Sequence, residues 1–132
     1  MFAAVFVLLY AAHLIADYPL QTDYQAAHKA DRSRIGWRVL LNHATTHVMM
    51  SALALAAGRE LLDDVADFSP LRAVVALVWI GVTHGLIDRR WPITWWMQHT
   101  GQVESAKHGG AAHIDQTAHA TALVIAALII AA

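Results

Sequence analysis

A chain of 132 residues that is 58% hydrophobic and 14% charged departs from an ordinary soluble domain, which is about 45–50% apolar and about 25% charged. Such hydrophobicity excludes intrinsic disorder, and the absence of cysteine excludes a disulfide scaffold, thiolate metal sites and a Cys nucleophile. A net charge of −1 leaves no basic footprint for nucleic acid, whereas nine histidines in so apolar a chain demand a reason.

Four stretches are nearly free of charge, and they predict four helices over about 1–17, 39–57, 70–88 and 113–132. Pro19 ends the first, because the residue before a proline is pushed out of the α region. Gly58 reads as the stop of the second. Ser69-Pro70 reads as N-cap and first helical residue of the third. Gly109-Gly110 precedes the fourth. A spanning helix needs about 17–25 apolar residues, and these stretches sit at the short end of that range. The expected fold is all-α: one polytopic membrane domain of four short transmembrane helices in an up-down-up-down bundle. A soluble bundle is the alternative, but soluble helices carry a polar stripe that these lack. The first stretch has no Lys or Arg before its apolar run, so it reads as a retained helix rather than a secretory leader.

The loops orient the bundle. Lys29, Arg32, Arg34 and Arg38 follow the first helix, and Arg89, Arg90 and Lys107 follow the third. Only Arg59 and Arg72 flank the middle loop, which carries Asp63, Asp64 and Asp67. The positive-inside rule places the first and third loops in the cytoplasm. Trp37, Trp91, Trp95 and Trp96 fall on that side as an interfacial belt, with WPITWWMQ along the membrane surface. Trp79 lies in mid-helix as a packing residue.

Each apolar stretch carries one pair of ionisable residues four apart: His13 and Asp17, His43 and His47, His84 and Asp88, Asp115 and His119. Residues i and i+4 share a helix face. Random placement of the His and Asp residues predicts about two such pairs; the chain has five, the fifth being Asp63 and Asp67 in the middle loop. Their position is more telling. The pairs close the first and third helices and open the second and fourth, so an up-down bundle brings all eight side chains to one depth near the cytoplasmic face. An ionisable residue in a bilayer is costly and faces the bundle interior, an ion or a pathway. Imidazole with carboxylate is a ligand set for zinc and other transition metals, and four-helix bundles hold metals on such inward residues.

The expected metal ligands are therefore His13, Asp17, His43, His47, His84, Asp88, Asp115 and His119, holding one or two divalent ions, zinc foremost. His43, His47, His84 and His119 are the leading ligands. Asp17, Asp88 and Asp115 are the candidate catalytic carboxylates, as ligands or as a general base. Gln21, Asp23 and Gln116 lie near the same face as residues that orient the ligands. Asn42, Thr45, Thr46, Thr83 and Thr117 add hydrogen-bonding capacity there or serve helix packing. His28, His99 and His108 read as solvated loop residues, and His113 either caps the last helix or joins the site. A metal-free polar network is the competing reading.

The strings HLIADYPLQTD (13–23), HATTH (43–47), THGLID (83–88) and HIDQTAH (113–119) resemble an uncharacterised bacterial and phage membrane family, the domain of unknown function three-three-zero-seven. The resemblance spans nearly the whole chain. It implies a small multi-helix membrane protein and carries over His13, Asp17, Gln21, Asp23, His43, His47, His84, Asp88, Asp115, Gln116 and His119, but no established activity. A looser similarity to membrane-bound metal-dependent hydrolases accompanies it.

These residues support several function classes. A metal-dependent hydrolase at headgroup depth would act on a lipid ester, amide or phosphoester, or on a membrane-bound peptide. A metal or proton-coupled transporter would use the same groups, although transport sites usually lie near the midplane. A haem bundle fits poorly with so many charged companions. A structural protein stapled by metal, without turnover, completes the set. Membrane lipids are the expected partners. Ala118, Ala122 and Ala126 offer a small-residue face for a homo-oligomer or for the chain's own core.

Overall fold

The computed structural model describes residues 1–132, except the side chain of Asp64; the acids of the middle loop are thus described at Asp63 and Asp67 alone. Among the described residues there are helices and no strand. Four long helices, α1 (Phe2–Asp17), α3 (Arg34–Leu61), α4 (Pro70–Asp88) and α7 (Gly110–Ala131), are joined by short ones, α2 (Asp23–His28), α5 (Trp91–His99) and α6 (Val103–Lys107), and by a 3-10 turn over Asp63–Val65. The long helices form a ring in which α1 packs on α3 and α7, and α4 packs on the same two. The end of α1 meets the first half of α3, the end of α4 and the first half of α7, so ring neighbours run antiparallel.

Helices α3, α4 and α7 are long and apolar enough to cross a membrane; α1 is apolar but shorter, at 16 residues. The expectation of four spanning helices is met for three. Pro19 is the reason: α1 closes at Asp17, where the Tyr18 N–H bonds the Leu14 carbonyl at 3.0 Å. At 1.5 Å per residue α1 reaches only about 24 Å, against about 30 Å of bilayer hydrocarbon.

Helix α3 is longer at both ends than its apolar stretch. Ser33 caps it, its hydroxyl accepting from the Gly36 N–H at 3.0 Å. At the far end Gly58 does not stop the helix, which runs on to Leu61. A Cβ at Gly58 would collide with the Leu8 side chain of α1, so this glycine lets two helices approach instead of ending one. Ahead of α3, Thr22 and Gln25 form a capping box that starts α2: the Thr22 hydroxyl accepts from the Gln25 N–H, and the Gln25 side chain accepts from the Thr22 N–H.

The interior has two layers. One is apolar, built from Val5 and Leu9 of α1, Leu55 of α3, Ala76 and Ile80 of α4, and Leu123, Ala126, Ala127 and Ile130 of α7, with Val65 and Phe68 closing it. Above it the interior turns polar, with His13, His43, His47, His84, Asp88 and His119 all buried. The outside is the reverse. Leu41, Met49, Leu53, Leu71, Val74, Val78 and Val82 stand exposed, Leu71 to 72%. An apolar exterior around a polar interior layer is the pattern a lipid-facing bundle adopts.

The polar end is roofed by short elements. Arg89, at the end of α4, donates to the Asp31 carbonyl at 2.8 Å and the Lys29 carbonyl at 3.4 Å, and its guanidinium lies 4.4 Å from the Trp37 ring centroid. It pins the segment between α2 and α3 onto α4. Helix α5 buries Ile93 and Met97 and turns Trp91, Trp95 and Trp96 outward.

Gly58→Val is expected to lower the thermal unfolding midpoint in detergent through overpacking, by about 1–3 kcal/mol. Gly85→Ala, where an added Cβ meets nothing within 4 Å, is expected to leave stability unchanged or raise it by up to about 1 kcal/mol. Equal losses in the two variants would refute the packing role of Gly58. Replacing Arg89 with Met is expected to speed amide hydrogen exchange over residues 22–33 while the four long helices keep theirs; unchanged exchange there would show that Arg89 does not hold the roof.

Candidate metal centre

Four helices deliver the site in pairs. His13 and Asp17 lie on the last turns of α1, and His84 and Asp88 on the last turns of α4. His43 and His47 lie within α3, and Asp115 and His119 in the early turns of α7. All five of these imidazoles, with Asp88, are no more than 3% exposed, while the side chains of Asp17 and Asp115 are 10% and 27% exposed. The rings form one group of neighbours: His47 and His84 stack at 3.5 Å between centroids, His84 and His119 stand tilted at 4.4 Å, and His13 lies 5.1 Å from His47 and 5.0 Å from His119.

The carboxylates thread between the rings. Asp17 turns Oδ1 toward Nε2 of both His43 and His47, each at 3.2 Å, and Oδ2 toward His13 Nε2 at 3.2 Å. Asp88 turns Oδ2 toward Nε2 of His84 at 3.1 Å and of His43 at 3.4 Å. Its Oδ1 faces the Lys29 ammonium at 2.8 Å and His119 Nε2 at 3.7 Å. Asp115 Oδ2 is 3.7 Å from His119 Nε2.

Hydrogen bonds do not account for this arrangement. Nε2 of His43 stands within 3.4 Å of Asp17 Oδ1, Asp88 Oδ2 and, at 2.7 Å, the Gln21 amide nitrogen. A ring nitrogen is either one donor or one acceptor, so it cannot serve all three. Among the described residues, His13 Nε2, His84 Nε2 and Asp88 Oδ2 are buried and make no well-aligned hydrogen bond, despite oppositely polar atoms 3.1–3.2 Å away. Each such orphan costs about 1–3 kcal/mol. Around a tetrahedral cation with bonds of about 2.0–2.1 Å, ligand atoms lie about 3.3–3.4 Å from one another. The nitrogen-to-oxygen distances of 3.1–3.7 Å fall around that edge length. Three sets keep one ligand atom from every member within 4.8 Å of the others: Asp17, His43, His47 and His84; His13, His84 and His119; and Asp88, Asp115 and His119. The donor set therefore fits a metal ion.

The other polar candidates go elsewhere. Gln21 reaches the cluster through His43. Asp23 is exposed in the first turn of α2. Gln116 is half-buried and gives the cluster no hydrogen bond among the described residues. The hydroxyls of Thr46, Thr83 and Thr117 bond carbonyls of their own helices, at Asn42, Trp79 and His113, while Asn42 and Thr45 are exposed, so these residues do not feed the site. His28 pairs with Asp31 at the surface, His99 and His108 donate to backbone carbonyls of their own helices, and His113 is exposed. Trp79 donates from its indole to the Ala122 carbonyl, tying α4 to α7.

Lys29 is the member that pair-spacing does not reveal. It lies outside the four apolar stretches and arrives beside Asp88 because α2 folds back over the cluster. Its signal in the sequence is indirect: the capping box TDYQ, which marks α2 as a helix, and Arg89, which ties the end of α2 down. No curated protein and no solved structure matches the chain. The model of the family described as protein of unknown function, DUF3307, matches residues 5–132, and the chain belongs to that family.

Proposed function

We propose that this chain forms a single integral membrane domain of four helices that holds one or two divalent cations, zinc foremost, and hydrolyses a lipid or membrane-bound substrate at headgroup depth. The observation that carries this reading is the convergence of five buried imidazoles with buried Asp88 and the partly buried Asp17 and Asp115, with orphaned ligand atoms, inside a bundle whose outside is apolar. A bound divalent cation supplies Lewis acidity and acidifies water. Asp17, His43 and His47 form one side of the cluster, and His13, His119, Asp88 and Asp115 the other, with His84 between them. Because Asp17 and Asp88 each turn their two oxygens toward different imidazoles, the donor set suits two ions better than one. Asp115 is the most accessible carboxylate and has the loosest contact to an imidazole, which suits it to accept a proton. Imidazole and carboxylate form a ligand set that suits zinc, manganese, iron and nickel.

The largely apolar layer below the cluster, with Val5, Leu9, Leu55, Ile80 and Ile130 in its core, favours hydrolysis over transport. The basic residues Lys29, Arg32, Arg34, Arg38, Arg89, Arg90 and Lys107 flank the cluster end, and this supports a cytoplasmic orientation of the site. The exposed tryptophans of α5 support its placement at the interface.

Metal analysis of detergent-purified protein tests the centre. The wild type is expected to hold one or two equivalents of a transition metal. The double variant His43→Ala/His47→Ala is expected to lose at least one equivalent and to unfold at lower temperature, because metal binding is coupled to folding. His28→Ala and His108→Ala are expected to keep full metal content. Equal metal in the wild type and the double variant would end this reading, and metal without turnover on lipid or peptide substrates would assign the ion a structural role.

Topology is tested separately. The chain has no cysteine, so Ala30→Cys and Ser105→Cys each introduce a unique label site. Both are expected to react from the cytoplasmic side in cells, and labelling from opposite sides would break the arrangement.

A further inference from the structure

One cleft reaches the cluster from outside. It has a volume of about 400 Å³ and is lined by Gln21, Lys29, Asp88, Arg90, Thr94 and Asp115, among others, with Ile93 forming an apolar wall. That volume lies within the range of small-molecule sites, about 300–1,000 Å³. Two cluster carboxylates, Asp88 and Asp115, form its inner wall, so a molecule in the cleft sits against the metal ligands. Two cations stand beside them, Lys29 with its ammonium 2.8 Å from Asp88 Oδ1 and Arg90.

We propose that this cleft binds the phosphate group of a phosphate-ester substrate, held by Lys29 and Arg90 beside the metal centre. The proposal rests on the metal-centre reading above and narrows its substrate class. Three observations converge on it. Arg90 makes one long hydrogen bond, to the Ala26 carbonyl at 3.3 Å, and no ion pair among the described residues, so most of its five donors are free for a planar, two-pronged grip on an oxyanion. Its backbone is left-handed, with φ of 62°. A residue with a Cβ pays about 1–2 kcal/mol there that glycine would not, and strain of this kind collects where the side chain is used. Lys29 is nearly buried, its side chain 12% exposed, and a lysine drawn into such a place needs anions. Asp88 is one. With Asp88 engaged by divalent cations, its charge would be offset, the cleft would carry a net positive charge, and Lys29 would be available to a ligand.

Phosphate esters fit this combination better than neutral esters or amides. Arg and Lys clamps beside metal ions stabilise the charge spread over a transferring phosphoryl group, and paired metals bracket the attacking and leaving oxygens. Hydrolysis of such an ester forms the bond between the water oxygen and phosphorus and breaks the ester P–O bond, and the proton given up by water leaves with the alcohol. The tryptophans exposed on α5, next to Ile93 and Thr94 of the cleft wall, set the opening where lipid phosphates lie.

The test is calorimetric titration of metal-loaded protein in detergent with inorganic phosphate and, separately, with dihexanoyl phosphatidic acid. The variants are Lys29→Gln and Arg90→Gly. Arg90→Gly relieves the left-handed strain and touches no carboxylate, so it is expected to fold at least as stably as the wild type and to keep its metal. Each variant is expected to weaken phosphate binding tenfold or more, and Arg90→Gly to do so with metal content unchanged. Tighter binding of the phosphatidic acid than of phosphate supports the proposal with a lipid source, and equal binding supports it with a soluble ester. Wild-type affinity in Arg90→Gly, or no phosphate binding by metal-loaded wild type, overturns the cleft assignment and leaves the metal centre standing. A wild type that takes up no metal overturns both.

Discussion

Within an apolar slab a carboxylate or an imidazole has nothing to turn to except another polar group, and each long helix of this chain carries two of them on one face. Four helices with polar faces of this kind can satisfy them only by pointing all eight inward at a shared level. That requirement fixes the antiparallel order of the ring. It also explains why the outside of the bundle is free to be apolar. The cluster is therefore both the most expensive part of the interior and the part that specifies how the helices are arranged.

Asp17 and Asp88 have the largest share in that arrangement. Asp17 sits on α1 and reaches both imidazoles of α3 as well as His13 of its own helix. Asp88 sits on α4 and reaches α3 through His43, α7 through His119, and the roof through Lys29. Between them they connect every long helix. Removing one partner from a buried charged network leaves the others uncompensated, which costs several times what an exposed pair contributes. Were the centre to hold metal, the same two carboxylates would be among the residues holding it, since their oxygens diverge toward different groups of imidazoles.

The spacing of four along each apolar stretch makes the eight cluster residues legible in the sequence, since helical periodicity alone puts both members of a pair on one face. Pro19 and Ser69-Pro70 mark helix ends for reasons of backbone sterics that act locally. What the sequence leaves illegible depends on contacts between distant segments. Gly58 reads as a helix stop, yet Leu8 of α1 decides its role. The four-residue signature TDYQ announces α2, but only the tertiary grip of Arg89 brings Lys29 beside Asp88. The threonines near the cluster have the right chemistry and the wrong geometry, since a hydroxyl in a helix finds its own i−4 carbonyl first.

The two layers of the interior impose a direction on the chemistry. Below the cluster the helices pack through Val5, Leu9, Ala76, Leu123 and Ala126, with Ser51 of α3 the buried polar residue one turn beyond His47. Above it lie a helix held by a capping box, an arginine corner in a left-handed conformation and a tryptophan-bearing helix. The cleft lined by Lys29 and Arg90 opens on that upper side and reaches Asp88 and Asp115. A bundle that gathers its acids and imidazoles beside Lys29 and Arg90 at one end, over a layer of mainly aliphatic side chains, has the asymmetry on which the proposed hydrolytic reading rests.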